Sequence, residues 1–209
     1  MESPFRDAPP GLRVIETLRL TPSGPVRGDR HLARMARTCV LLGLPFDEGK
    51  VRAALDAARG TVDLRARLSV GVDGLDLACT RLPPAPTAWT VALAELHIAA
   101  SDPWRSVKTT HRAIYDTTRA ALPADLDEMI FLNDSGRIAE GTITNIFVER
   151  GGTLATPPVE AGALPGILRE ELLETGRAEI CDVAPDDLRR ERFYCGNSLR
   201  GLILARLAN

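Results

Sequence analysis

The hydrophobic pattern changes period along the chain, and each change marks an element. Residues 12–20 (LRVIETLRL) alternate apolar and polar side chains, which predicts a strand. The stretch 21–25 (TPSGP) is a turn. Over 29–44 (DRHLARMARTCVLLGL) apolar residues recur at helical spacing, with Asp29 as the expected cap. Residues 47–60 (DEGKVRAALDAARG) predict a second helix, closed by Gly60. From 61 to 98 the period returns to two, in TVDLRARLSVGVDGLDLACTRLP and TAWTVALAEL, with the loop LPPAPTA between them. Alternation stops over 99–107, which reads as a linker.

The second half passes from strand to helix in VKTTHRAIYDTTRAAL. Residues 127–158 predict a meander of strands with turns at NDSG and ERGG. LPGILREELLETG is a helix with Pro165 and Gly166 at its start and Gly176 just past its end. AEICDVAPDDLRRE is a strand and a short helix, and RFYCGNSLRGLILARL is one or two strands around the turn Asn-Ser-Leu-Arg. The expected architecture is α+β in two subdomains: 1–98, smaller and N-terminal; 99–107, the linker; and 108–209, larger and C-terminal.

Composition narrows the class of protein. The 209 residues are 44% hydrophobic and 26% charged, as in soluble globular chains, with a net charge of −2. That balance gives no electrostatic case for nucleic acid or an anionic membrane. No apolar run approaches the roughly 18–20 residues that span a bilayer, and MESPFRDAPPGLR lacks the apolar core of a signal peptide. Cys39, Cys79, Cys181 and Cys195 are scattered, which reads as reduced thiols in a cytosolic protein. His31, His97 and His111 show no metal-ligand spacing, so no metal is expected.

Four segments of the second half fit one chemistry, a phosphorylated aldehyde cofactor carried on an amine. Lys108 is one of only two lysines in a chain whose positive charge is otherwise arginine. A buried lysine can lose its proton and attack an aldehyde, which an arginine cannot. On local sequence alone the plainer reading is an exposed lysine at a helix start. Glu140, in AEGTITNIFV, can hold a pyridine nitrogen in its protonated, electron-withdrawing form, or simply pair with an arginine at a strand edge. Asn145, five residues on, would face the other side of a regular strand and satisfy turn backbone. The helix start at Gly166 offers the N–H groups of Ile167 and Leu168 to a phosphate, or is a plain cap. Asn197 and Ser198, in CGNSLRG, can bond the phosphate or make the turn. In the first half, His31 and Arg34 lie one helical turn apart, and Arg34 can pair with a phosphate or stand exposed.

Taken in order, ETLRL, HLARM, VKTTHRAIYD, EGTITNIF, LPGILREELL and CGNSLRGL resemble the class IV pyridoxal-phosphate enzymes. That family includes branched-chain and D-amino acid aminotransferases and aminodeoxychorismate lyases. The resemblance implies the two-subdomain fold of the D-amino acid aminotransferase kind (fold type IV) and pyridoxal 5'-phosphate as cofactor. It implies Lys108 as the Schiff-base lysine and Glu140 as partner of the ring nitrogen. Arg34, the N–H groups of Ile167 and Leu168, and the turn Asn197-Ser198 would form the phosphate cup. A homodimer is also implied.

KTTHRAIYD with NSLRGL looks most like the lyases, which convert 4-amino-4-deoxychorismate to 4-aminobenzoate and pyruvate, a step towards folate. There Thr17 matches a position where a threonine hydroxyl can deliver a proton; the residue is also a plain strand former. The alternatives are an aminotransferase for a branched-chain or D-amino acid, and an inactive relative that only binds. Arg105, Arg112 and Arg200 are candidates by position for substrate carboxylates. Two departures stand out. The tyrosine that branched-chain enzymes carry five residues after the lysine is Ala113 here, and Tyr115, two further on, is expected to face elsewhere. Leu168 replaces a frequent threonine.

Overall fold

A computed structural model describes residues 4–5 and 8–208. The chain forms two compact units, each described separately: one holds the residues up to Pro84 together with Val107–His111, the other holds Ala85–Ser106 and Arg112–Asn209.

The first unit begins with strand β1 (Val14–Thr21), followed by the short β2 (Gly24–Pro25) and helix α1 (Gly28–Leu42). Helix α2 (Glu48–Ala57) and strands β3 (Leu64–Gly71) and β4 (Gly74–Arg81) complete it. The antiparallel sheet runs β2-β1-β3-β4. Its core packs Val14, Leu18 and Leu20 of β1 against Leu32, Met35 and Cys39 of α1 and Val51 and Leu55 of α2. Asp47 caps α2 by accepting the Lys50 N–H at 3.0 Å. The expected cap of α1 is corrected: Asp29 lies inside the first turn, and the cap position is Arg27, in the left-handed region at φ 56.

The second unit contains β5 (Ala88–Leu93), a 3₁₀ turn at Pro103–Ser106, α3 (Ala113–Ala120), β6 (Glu128–Leu132), β7 (Ile138–Gly141), β8 (Asn145–Arg150) and β9 (Thr153–Thr156). After them come α4 (Ile167–Glu174), β10 (Ala178–Ile180), α5 (Asp187–Arg190), β11 (Phe193–Asn197) and β12 (Gly201–Leu207). They form one mixed eight-stranded sheet in the order β10-β9-β8-β11-β12-β5-β6-β7. A core of Val91, Ile130, Ile146, Val148, Phe193 and Ile203 lies on it.

The expected boundaries at 98 and 108 differ from this division. β5 pairs in parallel with β12 and β6, so the chain enters the second unit at residue 85. Lys108 and its neighbours return to the first unit: the Ile15 N–H donates to the Lys108 carbonyl at 2.9 Å, and Val14 bridges Thr109. A period-two pattern says that AWTVAL is a strand and is silent on which sheet it joins, because pairing is a through-space choice.

Candidate active site

In the first unit, strand parity puts Val14, Glu16, Leu18 and Leu20 on the covered face of β1. Glu16 is therefore a carboxylate beneath α1. Its Oε1 accepts from Arg34 Nε at 2.7 Å, and its Oε2 accepts from Arg34 Nη2 and meets His31 Nδ1, both at 2.7 Å. Burial alone would raise the Glu16 pKa. The Arg34 charge and the hydrogen bonds from His31 and Arg34 outweigh it and lower the value to about 2. Arg34 is thus buried, which excludes the reading as an exposed helical arginine, and two of its nitrogens are committed to Glu16. Glu16 was not singled out from the sequence. Its parity with three apolar residues, above an i,i+3 pair of His and Arg, was the available signal.

Thr17, on the opposite face of β1, is half-buried. Lys108, also half-buried, lies beside Ile15, two positions along β1 from Thr17.

In the second unit the site is built around a chain reversal between β7 and β8. Glu128, fully buried at 0% exposure, lies under this reversal. Its carboxylate accepts from the N–H groups of Thr142 (3.0 Å) and Ile143 (3.2 Å) and from the hydroxyls of Thr144 (3.0 Å) and Thr142. Gly141 allows the close approach, since an added methyl would collide with Thr144 Oγ1 and lie 2.9 Å from Glu128 Oε2. The reversal breaks the strand between Glu140 and Asn145, so the period-two expectation that they face apart is corrected. Both reach Leu164: its N–H donates to Glu140 Oε2 at 3.0 Å, and its carbonyl accepts from Asn145 Nδ2 at 2.9 Å. The expected backbone role of the Asn145 amide is what the structure shows.

This grip fixes the loop that enters α4. Gly166 is the N-cap of α4 and supplies no side-chain cap, and an added methyl there would collide with Asn145 Oδ1. The first N–H groups of the helix, those of Ile167 and Leu168, lack intrahelical acceptors. Their side chains are buried, so only main chain is on offer there. Gly196 of β11 lets α4 pack closely, since a methyl would stand 3.1 Å from Leu168 Cδ2. That packing puts the turn after β11 next to the loop after β7: Asn197 Nδ2 donates to the Ile143 carbonyl at 3.3 Å. Asn197 Oδ1 accepts from the N–H groups of Leu199 (3.1 Å) and Arg200 (3.0 Å), so this side chain builds the turn. Ser198, beside it, is buried.

Tyr115 and two of the candidate arginines need a changed reading. Tyr115 does not turn away: it is 7% exposed, and its hydroxyl donates to Glu140 Oε1 at 2.5 Å. Arg105 and Arg112, two of the three candidate carboxylate binders, are engaged within the unit. Arg105 pairs with Asp102 at 2.9 Å; Arg112 pairs with Asp116 and donates to the Thr142 carbonyl, both at 2.8 Å. Arg200 is half-buried in the turn after Asn197. Arg105 keeps one buried donor, Nε, without an acceptor.

Within the second unit the donors suit the ring nitrogen and the phosphate of a phosphorylated pyridine. The second unit offers a carboxylate held at both oxygens, which can accept from a ring N–H, and an uncapped helix start, which suits a phosphate. The first unit carries the amine, Lys108. Among the described residues there is no group of His, Cys, Asp or Glu arranged to hold a metal ion, and no helix long and apolar enough to cross a membrane.

Comparison with known proteins agrees with this chemistry. The family model for amino-transferase class IV matches residues 13–207. A Thermotoga maritima protein provisionally assigned as a branched-chain-amino-acid aminotransferase is 26% identical over 79% of this chain and 63% of its own length. The aminodeoxychorismate lyase of Bacillus subtilis is 25% identical over 80% of this chain and 65% of its own. The chain thus spans less than two thirds of either curated relative. A crystal structure from Mesorhizobium loti, provisionally assigned as an amino-acid aminotransferase, superposes with a TM-score of 0.87 at 36% identity, covering 94% of this chain and all of that one. The fold is that of the fold type IV aminotransferases. The chain belongs to the class IV aminotransferases, a family of pyridoxal-phosphate-dependent enzymes.

Proposed function

We propose that this protein is a lyase that converts 4-amino-4-deoxychorismate to 4-aminobenzoate and pyruvate, with Lys108, Glu140 and Thr17 as its catalytic residues. What favours the lyase within the family is a hydroxyl on the strand to which Lys108 is bound through its main chain: Thr17 lies two positions along β1 from Ile15, whose N–H donates to the Lys108 carbonyl. A lyase that expels an enolpyruvyl group must deliver a proton to it, and aminotransfer makes no such demand.

Pyridoxal phosphate, when bound, supplies the electron sink that makes the substrate's amine-bearing carbon acidic. Lys108 Nζ is the amine that would hold the cofactor's aldehyde, and as a free amine it would take the proton from that carbon. Glu140 accepts the ring N–H and keeps it protonated. The N–H groups of Ile167 and Leu168 and the hydroxyl of Ser198 would hold the phosphate, with Asn197 shaping the turn; Arg34 of the first unit would add a positive charge to it. The C–O bond to the enolpyruvyl group breaks, Thr17 passes a proton to the departing group, and pyruvate leaves. Aromatisation of the ring supplies much of the driving force, so the protein chiefly orients the substrate and moves protons. The enzyme acts in the cytoplasm as a homodimer.

The first test is the visible absorption of the purified chain with pyridoxal phosphate, beside Lys108→Ala. A yellow band that the substitution abolishes supports Lys108; absence of the band from both sinks the reading. The second test follows product. Equimolar 4-aminobenzoate and pyruvate support the lyase. Amino-group transfer from a branched-chain or D-amino acid to a 2-oxo acid, without pyruvate release from the chorismate derivative, supports the aminotransferase reading that the Thermotoga and Mesorhizobium likenesses favour.

A further inference from the structure

We propose that Tyr115 is a positioning residue that fixes the Glu140 carboxylate for the cofactor's ring nitrogen, an inference that rests on the role given above to Glu140. The two observed donors approach different oxygens: Tyr115 Oη reaches Oε1 at 2.5 Å and the Leu164 N–H reaches Oε2 at 3.0 Å. Two donors on two oxygens define the plane of the carboxylate. Each oxygen has a further acceptor direction, so the clamp is compatible with a third, incoming N–H.

The phenol is itself held on several sides. Its ring meets Phe131 edge to face, with centroids 5.3 Å apart and planes at 84°. The guanidinium carbons of Arg105 and Arg112 stand 5.0 and 5.2 Å from the ring centroid. Burial and the charge of Glu140 raise the phenol's pKa above its ordinary value, with Arg105 opposing them, so the hydroxyl keeps its proton and stays a donor. Tyr115 also lies seven residues after Lys108, in the first turn of α3. One short segment therefore carries both the amine for the aldehyde and the group that aims the ring-nitrogen partner.

A tyrosine that merely filled space would act through its ring and be indifferent to the ring nitrogen of a ligand. The test uses that difference. The affinity of the full chain for pyridoxal phosphate is compared with its affinity for the carbocyclic analogue in which carbon replaces the ring nitrogen. The comparison is made for the unsubstituted chain, for Tyr115→Phe, and for Phe131→Leu as a packing control. Tyr115→Phe keeps the ring and its contacts with Phe131 and both arginines.

The expected result is a clear preference for pyridoxal phosphate in the unsubstituted chain and in Phe131→Leu. In Tyr115→Phe the preference should shrink about tenfold or more, the scale of one hydrogen bond to a charged group. An undiminished preference in Tyr115→Phe, or an equal loss in Phe131→Leu, overturns the positioning role and leaves Glu140's role standing. No preference in the unsubstituted chain overturns the role of Glu140 and this inference together.

Discussion

Glu16 and Glu140 are both buried strand carboxylates, one in each unit; a guanidinium donates to the first, and a phenol and a main-chain N–H donate to the second. Glu16 accepts from a guanidinium through both oxygens and meets His31 as well. Glu140 accepts from a phenol and a main-chain N–H, two donors that carry no net charge. A guanidinium compensates the carboxylate it binds, whereas neutral donors orient a carboxylate and add nothing to its charge balance. The first arrangement suits architecture: it locks α1 onto β1 and orients Arg34. The second suits an anion that must meet an incoming cationic ring N–H. Glu128 belongs with Glu140, since its close partners are backbone N–H groups and threonine hydroxyls, with Arg119 at 3.5 Å.

The largest expected effect tests the ion-paired site. Glu16→Gln leaves Arg34 and His31 facing a neutral amide in a buried place. Breaking a buried pair of this kind costs about 3–5 kcal/mol, which denaturant unfolding should register. The pH dependence gives a second handle. Because the folded-state pKa of Glu16 is depressed, its stabilisation is present above the ordinary value of 4.5 and is lost as pH falls towards about 2. The unsubstituted chain should therefore lose about 3 kcal/mol across that window from this one group, and Glu16→Gln should lack that part of the acid profile. A variant with undiminished stability and the same acid limb would show that Glu16 is not the anchor.

A smaller effect is expected at Glu128, whose close donors are neutral and whose guanidinium partner, Arg119, stands 3.5 Å away. Glu128→Gln has one acceptor oxygen for three N–H groups and two hydroxyls. An amide oxygen at the Oε1 place keeps the Met129 and Thr142 N–H groups and the hydroxyls can turn to accept from the new amide, but the Ile143 N–H is left without an acceptor. One stranded buried donor costs about 1–3 kcal/mol. The functional cost should exceed what stability implies, since the reversal over Glu128 is what brings Glu140 and Asn145 together on Leu164. Cofactor affinity that tracks stability alone would reduce Glu128 to a packing residue.

These carboxylates also mark how far the residues could be read without coordinates. Turn signals at NDSG and ERGG, the glycine closing α4 and the strands on either side of Asn-Ser-Leu-Arg are local, and the structure has them where the pattern put them. The segments that could carry the chemistry were also readable, because they lie in order along the chain. What failed was inference across a break in periodicity. Glu140 and Asn145 appear to face apart only if the strand is continuous, and the fold of residues 142–144 over Glu128 is a long-range event. Tyr115 was placed by helical geometry relative to Ala113, which says where a side chain leaves the helix and not what comes to meet it. The sheet joined by β5 was beyond reach for the same reason.

The smallest stability effect, and the one that separates the two kinds of site most cleanly, belongs to Glu140→Gln. The amide oxygen can keep the Leu164 N–H, and the phenol of Tyr115 can rotate to accept from the new NH₂. Neither of these two donors need be stranded, so the loss should be about 1 kcal/mol, well below that of Glu16→Gln. The effect on chemistry should run the other way. A neutral amide does not hold a ring nitrogen protonated, so preference for pyridoxal phosphate over its carbocyclic analogue should vanish and turnover should fall by about a hundredfold or more. If Glu140→Gln instead unfolded the chain as readily as Glu16→Gln and kept the preference, the two carboxylates would be of one kind, and the division between a compensated anchor and an oriented, reactive anion would be lost.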